Sequence, residues 1–258
     1  MEALPLTQGE PQRVVSSAWP ALDMLLPGGG FPGGAVTEIC GGLGSGKLSV
    51  LMPALARLLA EGRRAAWISA RGPLYAPALQ AHGVDTAIAL GGDLLQICPD
   101  PRDADRVAWA AEQVLRAQAF DMVLVDALLD GNERAGTLAI DELRFQRLAK
   151  AARAGDAALL ILLEPLPQLA GIPRSSALRL DLRARPVSGD PRLNGRSRLD
   201  SDVPPGSSAN RAGVSSHAPA AANGISTHPT PHRQIEITLR HCRGALPGGR
   251  VLLRLDDP

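Results

Sequence analysis

The chain is poor in aromatic side chains, which make up 3% of its 258 residues. That scarcity disfavours a stacking platform for single-stranded nucleic acid. Charge of one sign is also missing: the formal net charge is +1. Any binding of a polyanion would therefore need a local patch. Cysteine is sparse, at Cys40, Cys98 and Cys242. The spacing fits neither a zinc site nor a disulfide framework, so reduced, buried thiols in a cytoplasmic protein are expected. The N-terminus has prolines and Glu2 but no apolar h-region, so no signal peptide is expected. No run reaches the ~18 uninterrupted apolar residues of a spanning helix. His82, His217, His228, His232 and His241 show no ligand spacing, and no metal site is expected.

What is present centres on one stretch, VTEICGGLGSGKLS, from Val36 to Ser49. Val36 to Cys40 suits a buried strand. Gly41, Gly42, Gly44 and Gly46 allow positive φ and close approach of a ligand to the backbone. Ser45 and Lys47 complete Gly41-x4-Gly46-Lys47, the spacing of a P-loop, in which backbone N–H groups cradle phosphates and the lysine reaches the terminal ones. The next position usually carries Ser or Thr to hold Mg²⁺. Here it is Leu48, with Ser49 one place late. One residue of slip turns a helical side chain by about 100°, so Ser49 is a poor substitute. ATP is the candidate cofactor, and Mg²⁺ lacks its usual hydroxyl ligand. The plainer reading keeps the glycines for a tight strand-to-helix turn and leaves the lysine solvated.

Strand and helix signals alternate along the chain. Leu22, Leu25 and Leu26 share a helical face, stopped by Gly28 to Gly30. Leu48 to Glu61 reads as a helix, Ala65 to Ser69 as a strand, Leu74 to His82 as a helix and Leu94 to Cys98 as a strand. Asp105 to Ala119 has helical spacing. Met122 to Val125 is an apolar strand ending at Asp126, the pattern of a Walker B strand whose aspartate reaches Mg²⁺ through water. A carboxylate there can equally cap the next segment. Leu138 to Arg153 reads as a helix with a basic face of Arg144, Arg147, Lys150 and Arg153. That face is either solvated or a partner or DNA surface. Ala157 to Leu163 is another buried strand. Leu178, Leu180 and Leu182 then alternate with Arg179, Asp181 and Arg183. Ile235–Leu239 and Val251–Leu255 repeat the alternation, which predicts an antiparallel extension of a parallel sheet. Trp19, Trp67 and Trp109 are expected in the core.

These elements predict an α/β fold: a P-loop core with a mostly parallel sheet flanked by helices, and antiparallel strands at the C-terminal end. Residues 1–13 read as a disordered tail, 14–186 as the core, 187–232 as a disordered low-complexity insertion and 233–258 as strands completing the core.

The run LDMLLPGGGFPGGAVTEICGGLGSGK resembles the opening of the bacterial recombinase RecA core. FDMVLVDALL resembles its Walker B strand, and SALRLDLRARP and RQIEITLRHCRG its closing strands. The resemblance covers residues 15–186 and 233–256 and lacks the family's N-terminal oligomerisation helix and C-terminal domain. It implies a catalytic glutamate just after the second core strand, where Arg71 stands; an arginine cannot act as a base. It implies a γ-phosphate-sensing glutamine where Glu164 stands. Arg174 occupies a shortened second DNA-binding loop, so direct DNA binding is expected to be weak or absent. The short chain, the LPGGG turn and the altered site residues are most similar to the ImuA branch of RecA-like (SulA-like) proteins. That resemblance implies a non-catalytic accessory protein of SOS-induced translesion DNA synthesis, cytoplasmic and recruited to the nucleoid. It would bridge ImuB, an error-prone polymerase and RecA itself. A weak DNA-dependent P-loop ATPase and a regulator that caps or inhibits RecA filaments stay open beside it.

Overall fold

The structure, a computed structural model, describes residues 13–69, 72–84, 92–100, 104–126, 142–164, 176–186, 233–243 and 247–255. Its centre is an eight-stranded sheet. In chain order the strands are β3 (Ala35–Cys40), β4 (Ala65–Ser69), β5 (Leu94–Ile97), β6 (Met122–Asp126), β7 (Ala158–Leu163), β8 (Leu178–Pro186), β9 (Arg233–Cys242) and β10 (Arg250–Arg254). Across the sheet they run β10-β9-β8-β3-β7-β6-β4-β5.

The apolar runs dictate which strands lie inside. All six residues of β7 and all five of β6 are buried. Strands covered on both faces have no polar side to show, hence their continuous hydrophobic sequence. One face of the sheet carries Ile39, Trp67, Leu124, Leu160 and Leu162 against α2 (Lys47–Ala60), whose Leu51, Leu55 and Leu58 point inward. The other carries Val36, Ile68, Val123, Val125 and Ile161 against α4 (Ala104–Arg116) and α5 (Glu142–Gly155). Two short helices, α1 (Pro20–Leu25) and α3 (Ala76–Ala81), complete the chain order. Pro53 is the seventh residue of α2 and gives up one intrahelical bond, the one that would run to the Ser49 carbonyl.

The alternating segments behave as their period demands. Leu178, Leu180, Leu182, Ile235, Ile237 and Leu239 are all buried on the α2 side. The opposite face of β8 and β9 shows charge. There Arg185 Nη2 lies 2.6 Å from Glu236 and Arg240 Nε lies 2.7 Å from Asp181. One detail differs from expectation. β8 is the last parallel strand, paired in parallel with β3, and only β9 and β10 are antiparallel. A small ribbon also precedes the core: β1 (Val14–Val15) pairs with β2 (Phe31–Pro32). Trp109 is corrected from core to surface; it is 63% exposed. Of the tail expected at 1–13, residues 1–12 lie outside the described residues, as does the insertion at 187–232, while Arg13 is described and pairs with Asp121 at 3.3 Å. No helix among the described residues is long and apolar enough to cross a membrane.

Candidate nucleotide-binding cleft

The parallel strands end on one edge of the sheet, and the P-loop sits there. β3 lies beside β7, while the chain after β3 crosses through α2 to β4 on the far side of β6. The element before β7, α5, packs on the opposite face. Such a reversal of winding opens a crevice at the carboxyl ends of the strands. Gly41 N–H donates to the Leu163 carbonyl at 3.0 Å and so continues the β3–β7 pairing into the loop.

Packing shapes the loop. Gly46 has φ +87° and begins α2 with no side-chain cap. A Cβ there would run into Cδ1 of Ile235 on β9 and lie 2.9 Å from its Cγ1. Glycine is thus demanded twice, by conformation and by contact. The first turn of α2 leaves its leading N–H groups without intrahelical partners, directed at the crevice.

A cleft of about 210 Å³ results, lined by Gly42, Leu43, Gly44, Ser45, Gly46, Lys47, Leu48, Ser49, Asp126 and Leu162. Nearly the whole candidate set is therefore brought to one place; Gly41 stands behind it, packed on Ser45 and the Leu182 carbonyl. Lys47 is 8% exposed. Its Nζ donates to the carbonyls of Gly41 and of Leu163, the latter at 3.2 Å. It is thus held at the floor of the crevice rather than solvated. Leu48 is 44% exposed and Leu43, at the loop tip, 87% exposed. Apolar groups face water where a metal-binding hydroxyl would stand.

Asp126 is 5% exposed and accepts a hydrogen bond from Ser69 Oγ at 3.2 Å. Ser69 was not among the site residues expected from the sequence. Its only signal was a polar residue ending an apolar strand, and its meaning depends on β4 lying beside β6, with Ser69 paired to Asp126. Leu43 and Leu162 are further lining residues that the motif did not mark.

The basic face of α5 divides. Arg144 Nη1 is 2.8 Å from Asp105, and Arg147 Nη2 is 2.8 Å from Glu112, which also takes Arg116 at 2.6 Å. These arginines bind α5 to α4. Lys150 and Arg153 remain exposed on the helix. Glu164 is exposed at the end of β7, whereas Arg71 and Arg174 lie outside the described residues.

A metal-bound nucleotide can be tested against this donor set. Mg²⁺ binds through one or two carboxylates or hydroxyls plus phosphate oxygens and water, in strict octahedral geometry. Leu48 offers no donor, while a carboxylate that accepts one hydrogen bond, as Asp126 does from Ser69, can still face a metal. The residues present lack the hydroxyl that would seat Mg²⁺ beside the phosphates, because Leu48 stands there. They do fit a phosphate, through the α2 N-terminus, Lys47 and the buried Ser45 hydroxyl.

The profile of the RecA N-terminal domain matches residues 4–159. The chain is 33% identical to protein RecA of Corynebacterium efficiens over 118 residues, 46% of this chain and 29% of that protein. It is 36% identical to protein RecA of Lactococcus lactis over 115 residues, 45% of this chain and 28% of the relative. The chain thus spans under a third of the length of these relatives. The crystal structure of the RadB recombinase superposes with a TM-score of 0.60 at 17% identity, covering 93% of this chain and 95% of that one. At that identity the likeness concerns the fold.

Proposed function

The chain belongs to the RecA N-terminal domain family, and from that premise we propose that it is a non-catalytic accessory protein of SOS-induced translesion DNA synthesis. In this reading it bridges ImuB, an error-prone DNA polymerase and RecA, and keeps a nucleotide cradle without hydrolysing what it holds. The supporting observation is a P-loop folded to full depth with Leu48 in the metal-binding place and Asp126 tied to Ser69. Phosphoryl transfer is almost entirely positioning and charge stabilisation. Losing one such electrostatic group costs roughly 10²–10³ in rate; here the metal seat is gone, and Arg71 stands where the family's base would be. Direct DNA contact plays a minor part, because Arg144 and Arg147 are committed to carboxylates of α4. The experiment is a steady-state ATPase assay with and without single-stranded DNA, paired with pull-downs against ImuB, the polymerase and RecA. The expected result is no turnover above background and retention of at least ImuB. DNA-stimulated hydrolysis abolished by Lys47→Ala would refute it.

A second reading, a regulator that caps RecA filaments, is favoured by one feature. Among the described residues β5 is one of the two edge strands of the sheet, with Leu95 39% exposed. An open edge is a template for a strand of another chain. Substoichiometric slowing of RecA strand exchange would support this reading, and no effect at excess would end it.

A further inference from the structure

One side chain in the cleft is left unsatisfied by its own protein. Ser45 is 6% exposed, and its Oγ has no hydrogen-bond partner. A buried hydroxyl without a partner costs about 1–3 kcal/mol. Ser45 lines the same cleft as Lys47 and the start of the 14-residue helix α2. These three groups converge on the cleft and all suit an anion.

The cation side of the cleft is different. Leu48 presents methyl groups. Asp126, buried at 5% exposure, brings a carboxylate that Ser69 already engages. The only other hydroxyl along the helix start is Ser49, one residue and about 100° further round.

We infer that this cleft takes the phosphate end of a nucleoside diphosphate without any divalent ion, and that Mg²⁺ weakens the binding. The inference rests on the proposed reading of the loop as a nucleotide cradle. A free diphosphate offers its whole negative charge to Lys47 and to the positive end of α2. Chelated by Mg²⁺, much of that charge is already spent, and the hydrated ion meets Leu48 with no ligand to replace its lost water. A third phosphate adds negative charge in a cleft that holds the Asp126 carboxylate and, among the described residues, no cation beside Lys47. Like charges at short range in a partly buried site repel strongly. The size agrees: about 210 Å³ is below the roughly 300–1,000 Å³ that encloses a drug-sized ligand, so the nucleoside lies outside the cleft.

Binding of fluorescent ADP and ATP to the full chain, in EDTA and across a Mg²⁺ titration, tests this. ADP is expected to bind in EDTA and to weaken on the order of tenfold at saturating Mg²⁺, about one charge-assisted contact. In EDTA, ATP is expected to bind more weakly than ADP. Lys47→Ala should weaken ADP by roughly tenfold to a hundredfold. Leu48→Thr, at a position that is 44% exposed and so outside the core, should reverse the sign and make Mg²⁺ tighten binding. Tightening by Mg²⁺ in the unaltered chain, above all if Ser49→Ala removes it, overturns the inference and leaves the cradle standing. Leu48→Thr behaving as the parent in both conditions overturns the role given to Leu48, and the inference with it. Failure of both nucleotides to bind in both conditions overturns the inference together with the nucleotide reading beneath it.

Discussion

Replacing Gly46 by alanine puts a methyl group where the P-loop meets strand β9. Two costs add. Gly46 sits at φ +87°, and a left-handed conformation costs an L-residue about 1–2 kcal/mol. The new Cβ would also collide with Cδ1 of Ile235 and stand 2.9 Å from its Cγ1. Ile235 is 1% exposed in the main core, so it cannot swing into solvent, and overpacking of that kind costs about 1–3 kcal/mol. The sum is about 2–5 kcal/mol, a large share of the ~5–15 kcal/mol that holds a domain together. Urea unfolding followed by far-ultraviolet circular dichroism measures it. Ile235→Val removes Cδ1, the atom struck first, and alone costs about 1 kcal/mol. In the double variant the two penalties should fall short of additivity by roughly 1–2 kcal/mol. Gly42→Ala is the control. Nothing lies within 4 Å of its added Cβ, so the fold should tolerate it while the cleft loses access to a ligand. Gly46→Ala no worse than Gly42→Ala, or a strictly additive cycle with Ile235→Val, would refute this account of the loop.

Three other outcomes follow from named contacts. Leu160 is fully buried in β7 between β3 and β6, so Leu160→Ala should cost about 3 kcal/mol in the same unfolding assay. Trp109 is 63% exposed; Trp109→Phe should remove the fraction of tryptophan fluorescence that iodide quenches and change stability by no more than about 0.5 kcal/mol. The hydrogen bond from Arg185 holds the Glu236 carboxyl below its usual range; the charges of Arg185, Arg250 and Arg183 assist and outweigh an opposing push from desolvation. A depressed carboxylate contributes stability that is present above its unfolded pKa and is lost as pH falls through its folded one. The stability gap between the parent and Glu236→Gln should therefore narrow on acidification below the ordinary glutamate range, and a gap that stays constant would refute the pairing.

Much of the fold could be read because burial on two faces and burial on one face write different sequences. MVLVD at 122–126 and ALLILL at 158–163 have no polar period, and both proved to be central strands. LRLDLR at 178–183 alternates, and proved to be covered on one side. Trp109 was readable too, and was misassigned. It stands two residues after Val107 and two before Ala111, both fully buried. Two steps of 100° turn it about 200° from them, onto the solvent side of α4. The pairing of Ser69 with Asp126 was not readable, because it requires knowing that strands 57 residues apart are neighbours. Nor was the fate of Arg144 and Arg147. A basic helix face looks the same in sequence whether it meets water, a partner or the carboxylates of the next helix.

The motif itself mixes two kinds of constraint, and Lys47 separates them. Gly41 and Gly46 are fixed by what they touch: Ser45 and the Leu182 carbonyl in one case, Ile235 in the other. A folded chain needs them whether or not it binds anything. A lysine ammonium that is 8% exposed is another matter. Its Nζ donates to the carbonyls of Gly41 and Leu163, and taking a charge out of water is costly even where it is paired. Replacing a buried pair whole by apolar groups is often neutral or stabilising, whereas removing one member leaves its partner unsatisfied. Lys47→Met removes the charge but also takes this donor from the Gly41 carbonyl, so the ligand-free protein should change in stability by no more than about 2 kcal/mol. The same variant should lose the rise in melting temperature that a bound nucleotide gives the parent. Thermal melts of both proteins with and without ADP measure the two effects side by side. A variant destabilised by more than about 2 kcal/mol, with no ligand shift in the parent, would make Lys47 a structural residue. Greater stability joined to a lost shift would mean that the fold bears this lysine for the sake of an anion.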